Sequence, residues 1–527
     1  MNDIDSKPSG AGDVLTIGFG TAVSMWTVGY LMRKPEVEVG GPVLAAGLLV
    51  CLLIGGFLAG RLTSRGWRGG MMAGFVVAGL NLLIVGGTLS DEQQMTSWVL
   101  LWVPGTLAVT AIIMALAAMV GGRYIQTNEV GTRRRRVEEE FRRGINWTGW
   151  FAIVAVAATA LLLAAGGFVT GRAGGLAVPD WPQSYGYNMF FYPLARMTGN
   201  IYYEHTHRLL GALVGLTTIA LALHLWIVWT KRWWAWAAGI FAIVLALGVG
   251  WGALMSMGWS NWVPLMWLIG TAVMVLLTPA IPALRRNPWP WLAGVAVVAV
   301  IAQGVMGGYR VSLALTGEGV EVASAQHETS ISTILRVSHG VFAQLFFALM
   351  VALTLAASKV WQRAQGSVGA MAPSTDRGLS VALILALVGQ LILGAMVRHV
   401  AMGPMTHIAV AALLTVLAVA VGVRAWGLYG QREVAMKRMG ITLLVLVGLQ
   451  VLLGISALIV TSVWPTVEAS PPMMRVLVTT AHQMNGAALL AAATITMLLN
   501  FRVLRAEPGW RWAEEEEPKL PGAASSQ

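Results

Sequence analysis

Apolar runs of roughly 20 residues recur along the whole chain, separated by shorter polar stretches. Such runs match helices long enough to cross a bilayer core of about 30 Å at 1.5 Å rise per residue. Fourteen spans are predicted, at about 14–33, 42–60, 71–90, 97–120, 149–170, 206–229, 234–256, 261–283, 289–309, 337–357, 379–397, 405–425, 440–461 and 478–500. With the N-terminus placed inside, the inner segments hold 26 of the 35 Lys and Arg, the bias expected of cytoplasmic loops. The strongest inner anchor is "TRRRRVEEEFRRG" at 132–144, read as a solvated topogenic segment. The chain therefore reads as an all-α polytopic membrane protein with about 14 transmembrane helices. Both termini fall on the cytoplasmic side, and a bacterial inner membrane is the simplest location.

Composition agrees with the pattern. Hydrophobic residues make up 57% and charged residues 11%, less than half the charge of a typical soluble domain. The net charge of +11 would point to nucleic acid in a soluble protein; here the topogenic loops account for it. The lipid bilayer is the expected partner, and no nucleic acid is. A single cysteine, Cys51, excludes a disulfide within the chain. The start "MNDIDSKPSG" resembles neither a signal peptide nor a transit peptide, and the tail "AEEEEPKLPGAASSQ" reads as disordered.

The basic linker at 121–148 divides the chain. Residues 1–120 form four spans with no chemical constellation. Residues 149–500 form ten spans and contain all eight histidines. A second linker, 366–378, separates 149–365 from 379–500, and 501–527 is a cytoplasmic tail.

Three spans carry Gln-x-x-x-Gly: Gln303/Gly307 in "AQGVMGGYRV", Gln390/Gly394 in "GQLILGAMVRH" and Gln450/Gly454 in "LQVLLGISALIV". Together they suggest internal duplication, and a histidine-started span follows each: "HGVFAQLFF" (His339), "HIAVAALLT" (His407) and "HQMNGAALL" (His482). "HRLLGALVG" (His207) makes a fourth. All four are expected in the first turn of spans running from outside to inside, hence at one depth. Each has a small residue four positions on: Gly211, Ala343, Ala411 and Gly486. Positions i and i+4 share a helix face. An axial nitrogen above a thin helix wall suits a planar macrocycle, and two such helices facing each other make a bis-histidine haem site.

The other histidines read differently. His224 suits a satisfied bundle position, His205 faces away from His207, and His327 and His399 fall in outer loops or span ends. Arg208, Arg310, Arg336, Arg398 and Arg475 lie near the histidine-bearing ends, where topology disfavours Arg. Such side chains pair with carboxylates, with Arg208 and Arg336 the foremost candidates to bind haem propionates. Glu204, three residues before His207, reads equally as a first-turn carboxylate offsetting the helix dipole or as a functional acid.

In order and together, these motifs resemble the haem A synthase family. "GGFVTGRAGGLAVPDWP" at 166–182 resembles its Gly-rich loop ending in Pro-Asp-Trp-Pro. "EHTHRLLG" matches its Glu-x-x-His-Arg, and the later pairs of motifs resemble its remaining helices. The resemblance covers about 149–500. It implies two four-helix bundles related by a pseudo-two-fold axis, and oxidation of a haem O methyl group to the formyl group of haem A for terminal oxidase assembly. It implies that His207 and His339 hold the substrate haem O, that His407 and His482 hold a haem b cofactor, and that Glu204 is the catalytic carboxylate. An electron donor or acceptor, haem O synthase and oxidase assembly factors are the implied partners. The chain departs from the family in lacking a cysteine pair in the first outer loop. It also adds a helical pair at about 234–283 and four spans at 1–120. The rival expectations are a b-type electron-transfer cytochrome and a membrane haem transporter or chaperone.

Overall fold

The computed structural model describes residues 11–84, 90–91, 94–95, 99–126, 140–142, 144–314, 328–364, 368–370, 372–463 and 471–506. His327, most of the basic run at 132–144 and the acidic tail lie outside them. Among the described residues, fourteen long helices follow the predicted spans in order. They are α1 (Gly12–Met32), α2 (Gly41–Leu62), α3 (Trp67–Ile84), α4 (Val99–Gln126), α5 (Trp147–Gly171), α6 (Gly199–Trp229) and α7 (Trp233–Ser256). After them come α8 (Val263–Ala280), α9 (Trp289–Ser312), α10 (Ser330–Ala356), α11 (Pro373–Val400), α12 (Pro404–Gly427), α13 (Val434–Val463) and α14 (Met473–Val503). Thirteen have the length and apolarity to cross a membrane, and α3 occupies the place of the remaining predicted span. The chain is an all-α, multi-pass membrane protein.

The helices assemble into three regions. In the first, α2 and α3 both pack on α4, and α1 packs on α2 and α3. The sequence explains the closeness. Gly56 and Gly60 on α2, and Gly70 and Gly74 on α3, are spaced as small-x-x-x-small pairs. A Cβ on any of them would press into the backbone of α4 around Ala111, Met114 and Ala118.

The second region is a closed ring: α5 on α6, α6 on α9, α9 on α10, and α10 back on α5. The third is another closed ring of α11, α12, α13 and α14 in the same cyclic manner. The rings join where α14 packs on α5 and α10, and α10 on α11. Gly167 and Gly171 on α5 make room there for Thr480 and Val476 on α14. The pair α7–α8 stands outside the first ring, against α9 and the flank of α6, and neither helix lies between α6 and α10. Helix α7 has few buried residues, as expected of a helix facing lipid.

At the end of the second ring opposite the histidines, Asp376 on α11 is buried. It accepts from Arg424 at 2.7 Å and from the Tyr429 hydroxyl. A three-residue parallel pairing of Val368–Ala370 with Leu504–Ala506 closes this end.

Two facing histidine pairs

Each ring carries one histidine pair across its diagonal. His207 on α6 faces His339 on α10, with ring centres 6.4 Å apart and planes at 76°. His407 on α12 faces His482 on α14 at 6.5 Å and 78°. The two helices of each pair are joined mainly through the helices between them, so the imidazoles meet in the middle of a ring. All four are half-buried, so each lines accessible space.

The Gln-x-x-x-Gly motif explains how the rings are seated. A Cβ on Gly307 would lie 3.0 Å from His339 Cε1, one on Gly394 3.1 Å from that of His407, and one on Gly454 3.2 Å from that of His482. Gly166 on α5 does the same for His207 at 3.0 Å. In every case a glycine on the preceding helix admits the imidazole, with Nδ1 as its nearer nitrogen. One turn earlier on that helix stand Leu162, Gln303, Gln390 and Gln450, and Nδ1 of His207 and of His339 is buried without a hydrogen-bond partner. The Gln side chains tie the seats: Nε2 of Gln303 donates to the His339 carbonyl at 2.8 Å, and that of Gln390 lies 2.9 Å from the His407 carbonyl and 3.0 Å from His407 Nδ1. Gln450 Nε2 instead lies 3.3 Å from His482 Nδ1, while its Oε1 accepts from Asn485.

The structure corrects an expectation. Only His407 is in a first turn. His207 is the ninth residue of α6, and His339 and His482 are each the tenth of their helices. Polar residues before each apolar run continue the helix outward, which hydropathy alone does not register. His407 stays near its helix start because α11 and α12 are joined by three residues, with Ala401 and Gly403 both left-handed at φ 55° and 72°. Of the small residues at i+4, Gly211 opens on space, Gly486 faces Gln450, and Ala343 packs into the cluster between the two rings.

Glu204 is buried in the second turn of α6, so it is not a first-turn dipole partner. Its Oε1 accepts from Arg208 at 2.7 Å and its Oε2 from the Val178 amide at 2.9 Å. Arg208 also donates to the carbonyls of Val178, Asp180 and Gln183 at 2.9, 2.7 and 3.0 Å. The pair thus pins the loop 172–198 over the end of the first ring. Asp180 in turn accepts from the Tyr185 and Gly186 amides, both at 2.7 Å. These two residues have positive φ and turn the short hairpin Gln183–Ser184 to Tyr187–Asn188. Arg208 is engaged in this loop, which favours its structural over its propionate-binding reading.

Arg336 Nη1 lies 3.0 Å from Glu328 and its Nη2 donates to the His399 carbonyl at 2.9 Å, while Nε is buried without a partner. Arg398 donates to Gln483 at 2.6 Å and to the Gly167 carbonyl at 2.9 Å, tying the two rings beside His482. His399 packs near Gly340, next to His339. His205 meets Ser184 at 3.1 Å, under the loop. His224 meets Thr148 at 3.0 Å at the far end of α6.

The fourth seat, Leu162/Gly166, escapes a motif search because it lacks the Gln. The signal was present in the glycine itself, in "AAGGFVTG". Among the described residues no three His, Cys, Asp or Glu side chains converge, so each site offers two histidine ligands and no protein-only metal cage. The chain matches no family model, no curated protein and no solved structure.

Proposed function

We propose that the protein is a haem A synthase of the bacterial inner membrane, oxidising a methyl group of haem O to the formyl group of haem A. The observation that carries this reading is the repeated diagonal pair. Two imidazoles with ring centres roughly 6–7 Å apart would leave room for one metal atom held between them. Both pairs fall in that range, at 6.4 and 6.5 Å. The imidazoles face one another across the middle of each ring, and Nδ1 of His207 and of His339 is buried without a partner, so the residues fit bis-histidine ligation.

In this reading His407 and His482 hold haem b, which when bound supplies one-electron relay chemistry. His207 and His339 hold the substrate, haem O. The half-reaction R–CH3 + H2O → R–CHO + 4 H+ + 4 e− needs an electron acceptor, a partner of this chain together with haem O synthase and oxidase assembly factors. Arg336, with an unpartnered buried Nε beside His339, is the better placed arginine for a propionate. The loop under Arg208 screens the first site from water. Glu204 is the catalytic carboxylate: paired with Arg208, it stands one turn before His207, where a carboxylate would stabilise positive charge developing on the substrate. It can take a proton at Oε2 by releasing the Val178 amide.

The test is pigment extraction from the purified protein and from membranes that express it with haem O, with haems b, o and a separated chromatographically. Haem b plus haem A formation supports the enzyme. Haem b alone, with haem O unchanged, supports a b-type cytochrome, and unaltered haem O released to an acceptor supports a carrier.

A further inference from the structure

The segment joining α1 to α2 reaches the first histidine helix at its outer end. Glu36 is ion-paired with Arg172, at the end of α5, and accepts from the Tyr203 hydroxyl. Lys34 is buried with Nζ 3.9 Å above the Phe168 ring, and that ring stacks on Tyr203 at 6.1 Å. Tyr202 donates to the Tyr30 carbonyl at 2.5 Å and stacks on the Tyr30 ring at 5.9 Å. Tyr202 and Tyr203 are nearly inaccessible, at 3% and 1% exposure, and they immediately precede Glu204. Arg172 is a junction: its Nη1 donates to the Pro471 carbonyl at 3.2 Å before α14, and its own carbonyl accepts from Asn200 at 3.3 Å. One carboxylate from the four-helix N-terminal region therefore bears on both rings and on the start of α6.

We propose that Glu36 is a positioning residue for the first histidine pair: through Tyr203 and Arg172 it holds the outer end of α6, keeping Glu204 and His207 in register with the loop they carry. This gives α1–α4 a task, and it rests on the reading of the first pair as the substrate site. Nothing beyond the α1–α2 segment needs to touch the substrate, because α6 is continuous from Gly199 through His207 and transmits a shift of its end as a rigid body. Burial pushes the Glu36 carboxyl up. The Tyr203 hydroxyl and the Arg172 and Lys34 charges outweigh it and hold the group below its ordinary value, as an anchoring carboxylate requires.

The experiment uses the full-length protein with Glu36→Gln, Glu36→Asp and Tyr203→Phe. Hydrogen exchange over 172–206 and the low-spin absorption of each haem are recorded, with the haem A to haem O ratio as a third readout. Glu36→Gln is expected to speed exchange about ten-fold in 172–206, to shift the first-site spectrum and to lower the ratio about ten-fold. Exchange in α11–α14 and the second-site spectrum stay as in the wild type. Tyr203→Phe gives part of the same change, and Glu36→Asp restores most of it. If Glu36→Gln and Tyr203→Phe both leave 172–206 and the first-site spectrum unchanged, the proposal is overturned. Equal loosening of both rings also overturns it, since that marks a general loss of stability. A wild-type protein that takes up no haem overturns the functional reading instead, whereas the exchange measurement still reports the clamp.

Discussion

The two rings hold their histidines alike and differ in what surrounds them. In the second ring, α11, α12 and α13 have no more than 28% of their apolar windows buried, as helices facing lipid do. In the first, α6, α9 and α10 have at least half of theirs buried. The first ring is wrapped by α1 on one flank and α7–α8 on the other. Its histidine-bearing end is covered by a loop fixed by Glu204 and Arg208, whereas the corresponding link in the second ring is three residues long. Trp181 of that loop rests on Gly308 and stacks on Trp251 of α7 at 6.3 Å. The pair is thus a property of the four-helix scaffold, and the cover distinguishes the rings. A covered site with a held carboxylate suits chemistry on a bound substrate. A site with no such cover among the described residues suits holding a cofactor.

The largest expected effect breaks one ring at a time. His407→Ala or His482→Ala should abolish the bis-histidine signature of the second site and leave that of the first. His207→Ala or His339→Ala should do the reverse. Electron paramagnetic resonance of the oxidised protein separates the two low-spin species. Loss of both species in every variant would mean that the rings do not bind independently.

The next effect tests whether the cover is only structural. A catalytic acid or base contributes about 10²–10⁴-fold in rate. Glu204→Gln should therefore accumulate haem O with little haem A. Removing one member of a buried ion pair costs up to about 3–5 kcal/mol, so the same variant should also melt earlier. Arg208→Gln breaks the same pair and loosens the same loop. If Glu204 does chemistry, Glu204→Gln loses far more haem A formation than Arg208→Gln at matched stability. Equal losses in the two variants would reduce Glu204 to a loop anchor.

A smaller effect tests the glycine seats. Gly307→Ala places a methyl group 3.0 Å from His339, and Gly454→Ala one 3.2 Å from His482. Overpacking of this kind costs about 1–3 kcal/mol. Each variant should weaken haem retention in its own ring, read by titrating the apoprotein with haem, and leave the other ring unchanged.

How much of this was legible follows from what each signal measures. Apolar length reports burial in hydrocarbon, so spans and their order came through, but helix starts did not: α10 begins at Ser330, and the predicted span begins at 337. The four histidines were legible because an ionisable group at a span end is costly and therefore noticed. Their partners were legible only in part. The Gln-x-x-x-Gly repeat marked Gln303 and Gly307, but which glycine faces which imidazole is a tertiary fact. The same holds for Glu204, whose contacts with Val178 and Arg208 depend on how the loop folds back. Glu36 carries no motif, since its meaning comes from Arg172 and Tyr203, more than a hundred residues away.

The smallest expected effect lies at the one position where the four seats differ. Gln303, Gln390 and Gln450 stand one turn before their glycines, and the His207 seat alone has Leu162 there. Gln303 and Gln390 donate to the carbonyl of the seated histidine, and Gln390 Nε2 also lies 3.0 Å from His407 Nδ1, so it bears on the imidazole as well as on the helix turn. A hydrogen bond of this kind contributes about 0.5–1.5 kcal/mol net. Gln390→Leu should therefore lower haem affinity in the second ring by no more than about ten-fold and raise the rate of haem loss. Leu162→Gln supplies the missing donor beside His207. If the His207 seat lacks the tie so that His207 can adjust as substrate arrives and product leaves, Leu162→Gln should retain haem longer and release product more slowly. Haem dissociation measured by transfer to an apoprotein acceptor reads this directly. Unchanged dissociation in Leu162→Gln, alongside faster loss in Gln390→Leu, would show that the loop and the Glu36 clamp already hold His207 without a glutamine.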